Sequence, residues 1–248
     1  GSLTLLLVKS LKVRYSGDSM DEYVILVDEN DNPIGKEEKV KCHLPNGKLH
    51  RAFTALIFNN EGKLLLTKRS GSKMLWPGVW DGTVASHPRE GETYVSSAER
   101  RMPEEIGISC KMNYVNKFEY HVPYKDIGSE NEICGTLIGT IDSFDESSLI
   151  KDEISEIKWI SSDELKNELQ QNRDAYCPWM ILALYLLPSG WGSDSVPAEL
   201  YRSEGLGKDG NEVFSSLIPY QWTVEWAKRA FENAIKHYIP DNNWRYVS

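Results

Sequence analysis

The sequence predicts an α+β fold, an α/β/α sandwich in which helices flank a mixed β-sheet, with a helical extension at the C-terminal end. Two observations support this prediction. Short apolar runs separated by turn residues dominate the N-terminal part of the chain, as is typical of strands. Further along, apolar residues recur at helical spacing beside capping residues, and strand-like runs return between them.

The N-terminal elements are expected to be strands. The apolar run 23–27 is closed by the turn-forming residues 29–33, which indicates a buried strand that ends in a turn. Residues 54–58 and 64–67 are two more apolar runs, joined by Asn59-Asn60-Glu61-Gly62. This arrangement predicts a β-hairpin.

The middle of the chain changes from helix to strand character. Ala98, Met102 and their neighbours recur at three- and four-residue spacing and predict a helix over 93–106, with Gly107 placed to end it. Pro103 lies inside that segment and is expected to distort its last turn. Residues 133–141 then predict a strand.

The last third predicts two helices, a linker and a further helix. A capping box at Ser161–Glu164 opens a helix that runs through Leu169, and Pro178 begins a buried helix that ends at Leu187. Residues 188–210 are rich in Ser, Gly, Asp and Pro, which indicates a linker. An aromatic stripe over 221–238 predicts a final helix.

The chain therefore divides into three predicted parts. Residues 1–19 are a tag or poorly assigned segment, because Gly1-Ser2 resembles a cloning remnant and Met20 is a candidate natural start. Residues 20–187 form the main domain. Residues 188–248 form a loop and helix extension that packs on it.

Composition limits the possible partners. The net charge is −9, from 28 basic and 37 acidic residues, which argues against a nucleic-acid partner. The four cysteines lack CxxC spacing and suit reduced thiols in a cytoplasmic protein. The apolar run 3–8 is too short for a membrane span. A soluble monomer or homodimer that binds a small molecule is expected.

The most specific local motif is the segment from Gly91 to Ile108, GETYVSSAERRMPEEIGI, which resembles the box of Nudix diphosphate hydrolases. The positions that fit the box are Glu92, Arg100, Glu104, Glu105, Gly107 and Ile108. Ser86 stands at the first glycine of the box, and Arg101 stands at one of its glutamates. Such a box gathers carboxylates on one helical face, where they hold Mg²⁺ against diphosphate oxygens. Arg101 exchanges a metal ligand for a cation that binds phosphate.

The residues around this box extend the resemblance. Upstream and downstream stand His43, His50, Trp76-Pro77-Gly78-Val79-Trp80, Ser86-His87-Pro88, Glu130-Asn131-Glu132 and Pro178-Trp179-Met180. Together they resemble the type I isopentenyl-diphosphate isomerases, a family of the Nudix superfamily, from Glu22 to Leu187. The resemblance implies a Nudix fold and a prenyl diphosphate substrate.

The same resemblance implies a metal site. In the family, three histidines and two carboxylates enclose a divalent ion, and the matching residues are His43, His50, His87, Glu130 and Glu132. Alternate residues of a strand face the same side, so Glu130 and Glu132 can converge on one ion. This ligand set suits Mn²⁺, Zn²⁺ or Fe²⁺, and Mg²⁺ less well. His121 and His237 match no position and are expected to be structural.

The diphosphate site also carries over by position. Basic residues of the family match Lys39, Arg69, Lys73 and Arg101, and its carboxylate for the diphosphate-bound Mg²⁺ matches Glu105. Each of these residues alone would be an ordinary surface charge. Four basic residues at matching positions in an acidic protein favour a localised anion pocket.

The reacting groups are matched with one exception. The resemblance implies that Glu132, assisted by Tyr120, protonates an alkene, and that Trp179 stabilises the carbocation through its ring face. The cysteine that completes the family's proton exchange is replaced by Ala85. A methyl group cannot exchange a proton, so one of the two acid/base groups is missing.

Three outcomes remain open from the sequence. The chain is a true isomerase, either as an engineered Cys-to-Ala form at Ala85 or with another base such as a water held by Ser86. Alternatively, Glu132 generates a carbocation from a longer prenyl chain, which then cyclises or rearranges. In the third outcome the chain hydrolyses diphosphates, with Glu104 beside Glu105 restoring part of the ligand set. Retention of Trp179 favours carbocation chemistry, and a catalytically inactive diphosphate-binding module is the non-enzymatic alternative.

Overall fold

The computed structural model describes residues 22–149, 153–185, 187 and 244–247. Within them the chain forms one mixed sheet of ten strands with helices on both faces, so the predicted α+β class is confirmed. The predicted N-terminal segment, the linker 188–210 and the helix 221–238 lie outside the described residues. Among the described helices, none combines the length and apolarity that crossing a bilayer requires.

The element bounds are as follows. The strands are β1 (Tyr23–Val27), β2 (Pro33–Glu38), β3 (His50–Phe58), β4 (Leu64–Arg69), β5 (Trp80–Asp81), β6 (Val84–Ser86), β7 (Asn113–Tyr124), β8 (Gly128–Thr140), β9 (Ile154–Ile160) and β10 (Trp244–Val247). The α-helices are α1 (Lys39–His43), α2 (Tyr94–Ile106), α3 (Ser162–Asn172) and α4 (Pro178–Tyr185), and short 3₁₀ turns lie at Glu146–Ser148 and Arg173–Ala175.

Strand β3 lies at the centre of the sheet. One of its edges pairs in parallel with β8 along its whole length, from His50 opposite Glu132 to Phe58 opposite Thr140. The other edge is shared by β1 at its start, β6 in its middle and β4 at its end. The sheet therefore branches at β3, and residues of β3, β6 and β8 come together near the start of β3.

Alternate side chains of β3 enter two separate cores. Leu56 and Phe58 pack in a core that includes Trp179 and most of α4. Ile57, from the opposite face, packs with Met102 and the apolar side of α2. Because neighbouring strand residues face opposite sides, α4 and α2 cover opposite faces of the sheet. Each large apolar side chain buried in this way stabilises the fold by about 1.5–3 kcal/mol.

The predicted hairpin is correct at its turn but not in its strands. The turn forms as expected, with Asn59 bonded to Lys63, yet β3 and β4 share only the pair Phe58 and Leu64. Beyond that pair the strands separate, and β4 pairs with β9 over most of its length. Turn residues determine a local reversal, whereas partners distant in sequence determine where each strand continues.

The helix predictions hold closely. Helix α2 begins after Thr93, whose hydroxyl accepts a hydrogen bond from Ser96 N, and ends at Gly107 with φ of 69°. Pro103 lies inside it, and the helix continues to Ile106. The Ser161–Glu164 capping box opens α3, which extends one turn past Leu169 to Asn172.

Two glycines of β8 permit close packing on this strand. A Cβ at Gly128 would lie 2.7 Å from the carbonyl oxygen of His43, and a Cβ at Gly135 would lie 2.5 Å from the ring of Tyr94. A side chain at either position would push its neighbour away. The two glycines thus hold the end of α1 and the start of α2 against β8, the strand that carries Glu130 and Glu132.

Candidate active site

Three histidines and a glutamate from four separate elements meet at one point. His43 ends α1, His50 begins β3, His87 follows β6 and Glu132 lies in β8. Their candidate ligand atoms all lie within 4.8 Å of one another, and all four residues are buried. Glu132 Oε1 is 3.2 Å from His50 Nε2 and 3.1 Å from His87 Nε2.

Glu130 borders the same point. Its Oε2 atom lies 2.9 Å from His43 Nε2, and it shares a face of β8 with Glu132. Asn131, between them, points away and donates a hydrogen bond to the Gly47 carbonyl. We call the set His43, His50, His87, Glu130 and Glu132 the cage. His121 lies apart, with Nε2 beside Asn46 O and Ser129 Oγ, and His237 lies outside the described residues.

The hydrogen bonds of two cage histidines fix their tautomers. The Nδ1 atoms of His43 and His50 each lie 2.7 Å from a backbone carbonyl oxygen, those of Lys39 and Lys48. A carbonyl only accepts, so each Nδ1 carries the proton and each Nε2 turns a lone pair towards the cage centre. This is the arrangement in which imidazole binds a metal.

Several cage atoms lack a partner. His50 Nε2 and Glu130 Oε2 are buried without any hydrogen bond among the described residues. Such an orphaned polar atom costs about 1–3 kcal/mol. His43 Nε2 and Glu130 Oε2 lie close together as two acceptors, and a divalent cation between them would satisfy both. Three imidazole nitrogens and carboxylate oxygens suit Mn²⁺, Zn²⁺ or Fe²⁺, so the residues present fit a metal ion.

Burial and charge set the protonation states in the cage. Burial lowers the pKa of His87 well below its ordinary value, and the positive charge of Lys39 lowers it further, so this imidazole is neutral at neutral pH. Burial opposes ionisation of Glu132, but the adjacent imidazole of His50 and the hydrogen bond donated by Tyr120 lower its pKa. Glu132 is therefore an anion while no substrate is bound.

Tyr120 and Trp179 stand beside Glu132. Tyr120, directly opposite Glu132 on β7, donates a 2.6 Å hydrogen bond to its Oε2 atom. Burial and the Glu132 charge raise the pKa of Tyr120 well above its ordinary value, so the hydroxyl keeps its proton. The indole of Trp179, in the first turn of α4, is 6.3 Å from the Tyr120 ring and donates from Nε1 to Asp81 Oδ1 at 2.8 Å.

A single pocket joins these groups to the basic residues. It encloses about 590 Å³ of space when its open mouth is included. The residues important here that line it are Lys39, His43, Thr54, Arg69, Lys73, Ala85, Ser86, His87, Tyr120, Glu130, Glu132 and Trp179. The lining thus combines three cations with Glu132 and two aromatic rings.

Every predicted diphosphate-binding cation already has a carboxylate partner. Their ion pairs are Lys39 with Glu22, Arg69 with Asp81, Lys73 with Glu153, and Arg101 with Glu105. Three of these partners, Glu22, Asp81 and Glu153, were missed by the sequence reasoning. No local sequence pattern predicts these carboxylates, because the cations with which they pair lie 17, 12 and 80 residues away along the chain.

Helix α2, which lies within the motif from Gly91 to Ile108, contributes charged residues near the pocket. Burial raises the pKa of Glu105, while the charges of Arg101 and Lys73 oppose that rise. Glu105 therefore lies within electrostatic range of Lys73, although neither Arg101 nor Glu105 lines the pocket itself. Glu104 is half-exposed and pairs with Arg100 and Arg101. The helix thus offers one buried carboxylate towards the site, and the second points to its surface.

Ala85 lies on the pocket wall within β6, opposite Thr54 of β3. Among the described lining residues there is no cysteine. Thr54 also contacts a buried thiol, that of Cys134, whose Sγ lies 3.5 Å from the Thr54 hydroxyl. Burial raises the pKa of that thiol well above its ordinary value. The pocket wall at Ala85 is therefore without an ionisable group.

Comparisons with known proteins agree with this geometry. Residues 48–180 match the NUDIX domain model. The chain is 38% identical over 161 residues to isopentenyl-diphosphate Delta-isomerase 2 of Photorhabdus laumondii, covering 64% of this chain and 89% of that protein. It is 36% identical over 183 residues to isopentenyl-diphosphate Delta-isomerase of Haloarcula marismortui, covering 68% and 96%.

Among solved structures, the chain resembles DR0079 of Deinococcus radiodurans. The TM-score is 0.52 at 20% sequence identity, covering 65% of this chain and 97% of that one. At this identity the likeness concerns the fold alone.

Proposed function

The chain belongs to the NUDIX domain family and, within it, to the isopentenyl-diphosphate Delta-isomerase family, and from this premise we propose that it is a metal-dependent enzyme that protonates the double bond of an isoprenoid diphosphate. One observation carries the proposal. Glu132 turns Oε1 into the cage and Oε2 to Tyr120, in a pocket that also holds cations and an indole face. We propose allylic isomerisation as the reaction.

The pocket orients such a substrate by charge. Lys39, Arg69 and Lys73 line the pocket and bind the diphosphate oxygens, while Arg101 of α2 lies behind the lining and acts through its ion pair with Glu105. Glu105 would hold the Mg²⁺ that accompanies the diphosphate, because it is buried within electrostatic range of Lys73. The hydrocarbon part then lies towards Tyr120 and Trp179.

The cage would hold a second divalent ion. Its ligands would be His43, His50, His87, Glu130 and Glu132, and the ion would supply Lewis acidity that makes the proton of Glu132 easier to release. The unpartnered atoms of His50 and Glu130 support this assignment.

Proton transfer starts at Glu132. Glu132, an anion before substrate binds, first takes up a proton from solvent; the carboxyl group then gives this proton to the terminal carbon of the double bond, whose π electrons form the new C–H bond. A tertiary carbocation remains. Trp179 presents its electron-rich face to this charge, and its burial with Tyr120 keeps bulk water away from that side of the cation.

Completion of isomerisation requires loss of a different proton. On the wall opposite Thr54 the side chain is the methyl of Ala85, which cannot accept one. We propose that a water held by the Ser86 hydroxyl, which lines the pocket, performs this step and that the step is slow.

The same observation favours a second candidate function. If the carbocation is not deprotonated at once, an additional double bond within a longer prenyl chain can attack it and close a ring. The methyl group of Ala85 is smaller than a cysteine side chain and accepts no proton. The carbocation therefore persists longer, with more room beside it for ring closure. Hydrolysis has less support, because Glu104 points to the surface instead of joining Glu105.

One experiment separates these functions. The protein is incubated with isopentenyl diphosphate in heavy water, and then with geranyl, farnesyl and geranylgeranyl diphosphates, while released phosphate is assayed. Deuterium in dimethylallyl diphosphate supports isomerisation, and a cyclic product from a longer substrate supports the second candidate. Phosphate release without carbon rearrangement would contradict both.

The variant Ala85→Cys sharpens the result. If the missing base limits isomerisation, restoring a thiol raises the rate by roughly 10²–10⁴-fold, the usual contribution of one acid/base group. The matched control Ala175→Cys places a thiol outside the pocket lining and leaves the rate unchanged. A rate for Ala85→Cys equal to that of the unaltered chain would contradict slow deprotonation.

A further inference from the structure

A buried carboxylate connects the two functional parts of the pocket. Asp81, in β5, accepts a hydrogen bond from Arg69 Nη1 at 3.2 Å on Oδ2 and from Trp179 Nε1 at 2.8 Å on Oδ1. The backbone of Gly82 adds a third bond at 2.7 Å. Only 4% of the Asp81 side chain is exposed. One carboxylate therefore contacts both a predicted diphosphate cation and the predicted carbocation-stabilising indole.

Hydrogen bonds to the protein fix the orientation of the Arg69 guanidinium and leave part of it available to a ligand. Arg69 donates from Nε to the Trp76 carbonyl and from Nη2 to the Leu75 carbonyl, and its guanidinium lies 5.4 Å from the Trp179 ring. Of the five N–H groups of an arginine, these contacts and Asp81 engage three. The remaining two belong to a side chain that lines the pocket, and they are the groups that a diphosphate would use.

We propose that Asp81 is a positioning residue that couples diphosphate binding at Arg69 to carbocation stabilisation at Trp179. The inference rests on the proposed function, because it assigns the diphosphate to Arg69 and the carbocation to Trp179. Asp81 itself touches neither part of the substrate and acts through its two partners.

The coupling follows from competition for the guanidinium. Without substrate, Arg69 shares its charge with Asp81 and thereby opposes the rise in the Asp81 pKa that burial causes. When diphosphate oxygens approach Arg69, they draw the guanidinium charge away from Asp81. As long as Asp81 keeps its negative charge, the carboxylate, now less neutralised by Arg69, attracts the indole N–H of Trp179 more strongly.

A stronger bond at the indole N–H enriches the ring in electrons. The ring face becomes more negative, and a cation above it is held more tightly. Trp179 thus becomes most effective when a diphosphate is in place. A carbocation would then be favoured only in a correctly bound substrate.

The test compares Asp81→Asn with a matched variant, Asp31→Asn. Asp31 is also a buried carboxylate with an arginine and an aromatic donor as partners, Arg51 and Tyr94, but it lies away from the pocket lining. With the active substrate, Asp81→Asn is expected to lower kcat about tenfold, from the loss of charged hydrogen bonds. Asp31→Asn should change melting temperature without changing kcat.

A double-mutant cycle separates positioning from general damage. In a Trp179→Phe background, Asp81→Asn should lower kcat by less than about threefold, since the route through the indole is already absent. An equal loss of kcat in both backgrounds would show that Asp81 does not act through Trp179 and would overturn the proposal.

A second measurement does not need turnover. The indole N–H resonance of Trp179 is assigned by its loss in Trp179→Phe, and inorganic diphosphate with Mg²⁺ is then added. The resonance should move downfield in the unaltered protein and stay in place in Asp81→Asn. If it does not move in the unaltered protein, the coupling is absent.

The outcomes of the two proposals are distinguishable. If no isoprenoid diphosphate is converted but the Trp179 resonance still responds to diphosphate, the proposed function fails and the coupling stands. If Asp81→Asn does not fold, β-(3-benzothienyl)alanine at position 179 removes the N–H while keeping the ring. That variant should lose about as much in kcat as Asp81→Asn was expected to lose, and an unchanged kcat would overturn the coupling.

Discussion

Two groups of polar residues meet at the pocket: the cage, and the cations Lys39, Arg69 and Lys73, which we call the basic end. They differ in how fully their polar atoms are paired. In the cage, His50 Nε2 and Glu130 Oε2 are buried without a hydrogen bond to any residue in the described part of the chain, and Nε2 lone pairs point at carboxylate oxygens. At the basic end, Lys39, Arg69 and Lys73 are each paired with a carboxylate. The cage is incomplete by itself, whereas the basic end is electrically balanced by itself.

The difference indicates two kinds of binding. An incomplete cage gains free energy from any ion that fits it, so it should bind a metal tightly and be stabilised by it. A balanced basic end offers little net positive charge to a bare diphosphate anion. It should favour a diphosphate that brings its own cation, since the added ion offsets the carboxylates that remain.

The largest expected effect is at Glu132, the cage member that also performs chemistry. Glu132→Gln should lower the rate of deuterium incorporation by roughly 10²–10⁴-fold, because an amide cannot donate the proton. The control Glu119→Gln alters a glutamate on β7, beside Tyr120 in sequence, that does not line the pocket. A Glu132→Gln enzyme with ordinary turnover would mean that the cage serves structure alone.

Metal binding tests the incompleteness of the cage. At about 100 times its dissociation constant, Mn²⁺ or Zn²⁺ should add about 2.7 kcal/mol to the free energy of unfolding, and chelation should remove it. His50→Ala should abolish the rise in melting temperature, while His121→Ala should retain it because His121 lies outside the cage. Equal behaviour of the two variants would contradict the assignment of the ligands.

The basic end is tested through Lys73. Lys73→Met should weaken binding of magnesium diphosphate by about tenfold or more, as expected for loss of a hydrogen bond to a charged group, and calorimetry measures it. Lys68→Met is the control, because Lys68 of β4 likewise pairs with a glutamate, Glu156, but does not line the pocket. Similar affinities for the two variants would contradict the assignment of the diphosphate site to Lys73.

The smallest expected effect concerns the charge balance between Lys73 and its partner Glu153. Glu153→Gln removes the carboxylate partner of Lys73. Binding of diphosphate without Mg²⁺ should then strengthen by about two- to fivefold, in keeping with about 0.5–1 kcal/mol for a partly exposed ion pair. Glu156→Gln, which frees Lys68 instead, should leave this affinity unchanged. Weaker binding in Glu153→Gln would show that Glu153 holds Lys73 in place for the diphosphate.

The sequence predicted much of the fold and part of the site. Capping residues and apolar spacing located α2 and α3, because those signals act within a few residues. Strands β2, β7 and β9 were not predicted. β2 is largely polar and exposed, and it is a strand because β1 supplies its backbone partners. Such pairings depend on the fold as a whole.

The site shows the same division. The resemblance named the five cage residues and four cations, and the structure brings the cage residues together, while their role as ligands stays a prediction. The counter-charges Glu22, Asp81 and Glu153 could not be foreseen, because an acidic residue in an acidic chain carries no local signal. Only the folded arrangement shows which cation each one meets.

The parallel pairing of β3 with β8 has a practical consequence for preparing the protein. His50 and Glu132 are direct neighbours only in that register, although they lie far apart in sequence. A chain that has collapsed with these strands displaced by one residue would turn Glu132 to the opposite face. The stoichiometry of tightly bound metal should therefore count the correctly folded molecules in a sample, independently of any catalytic assay.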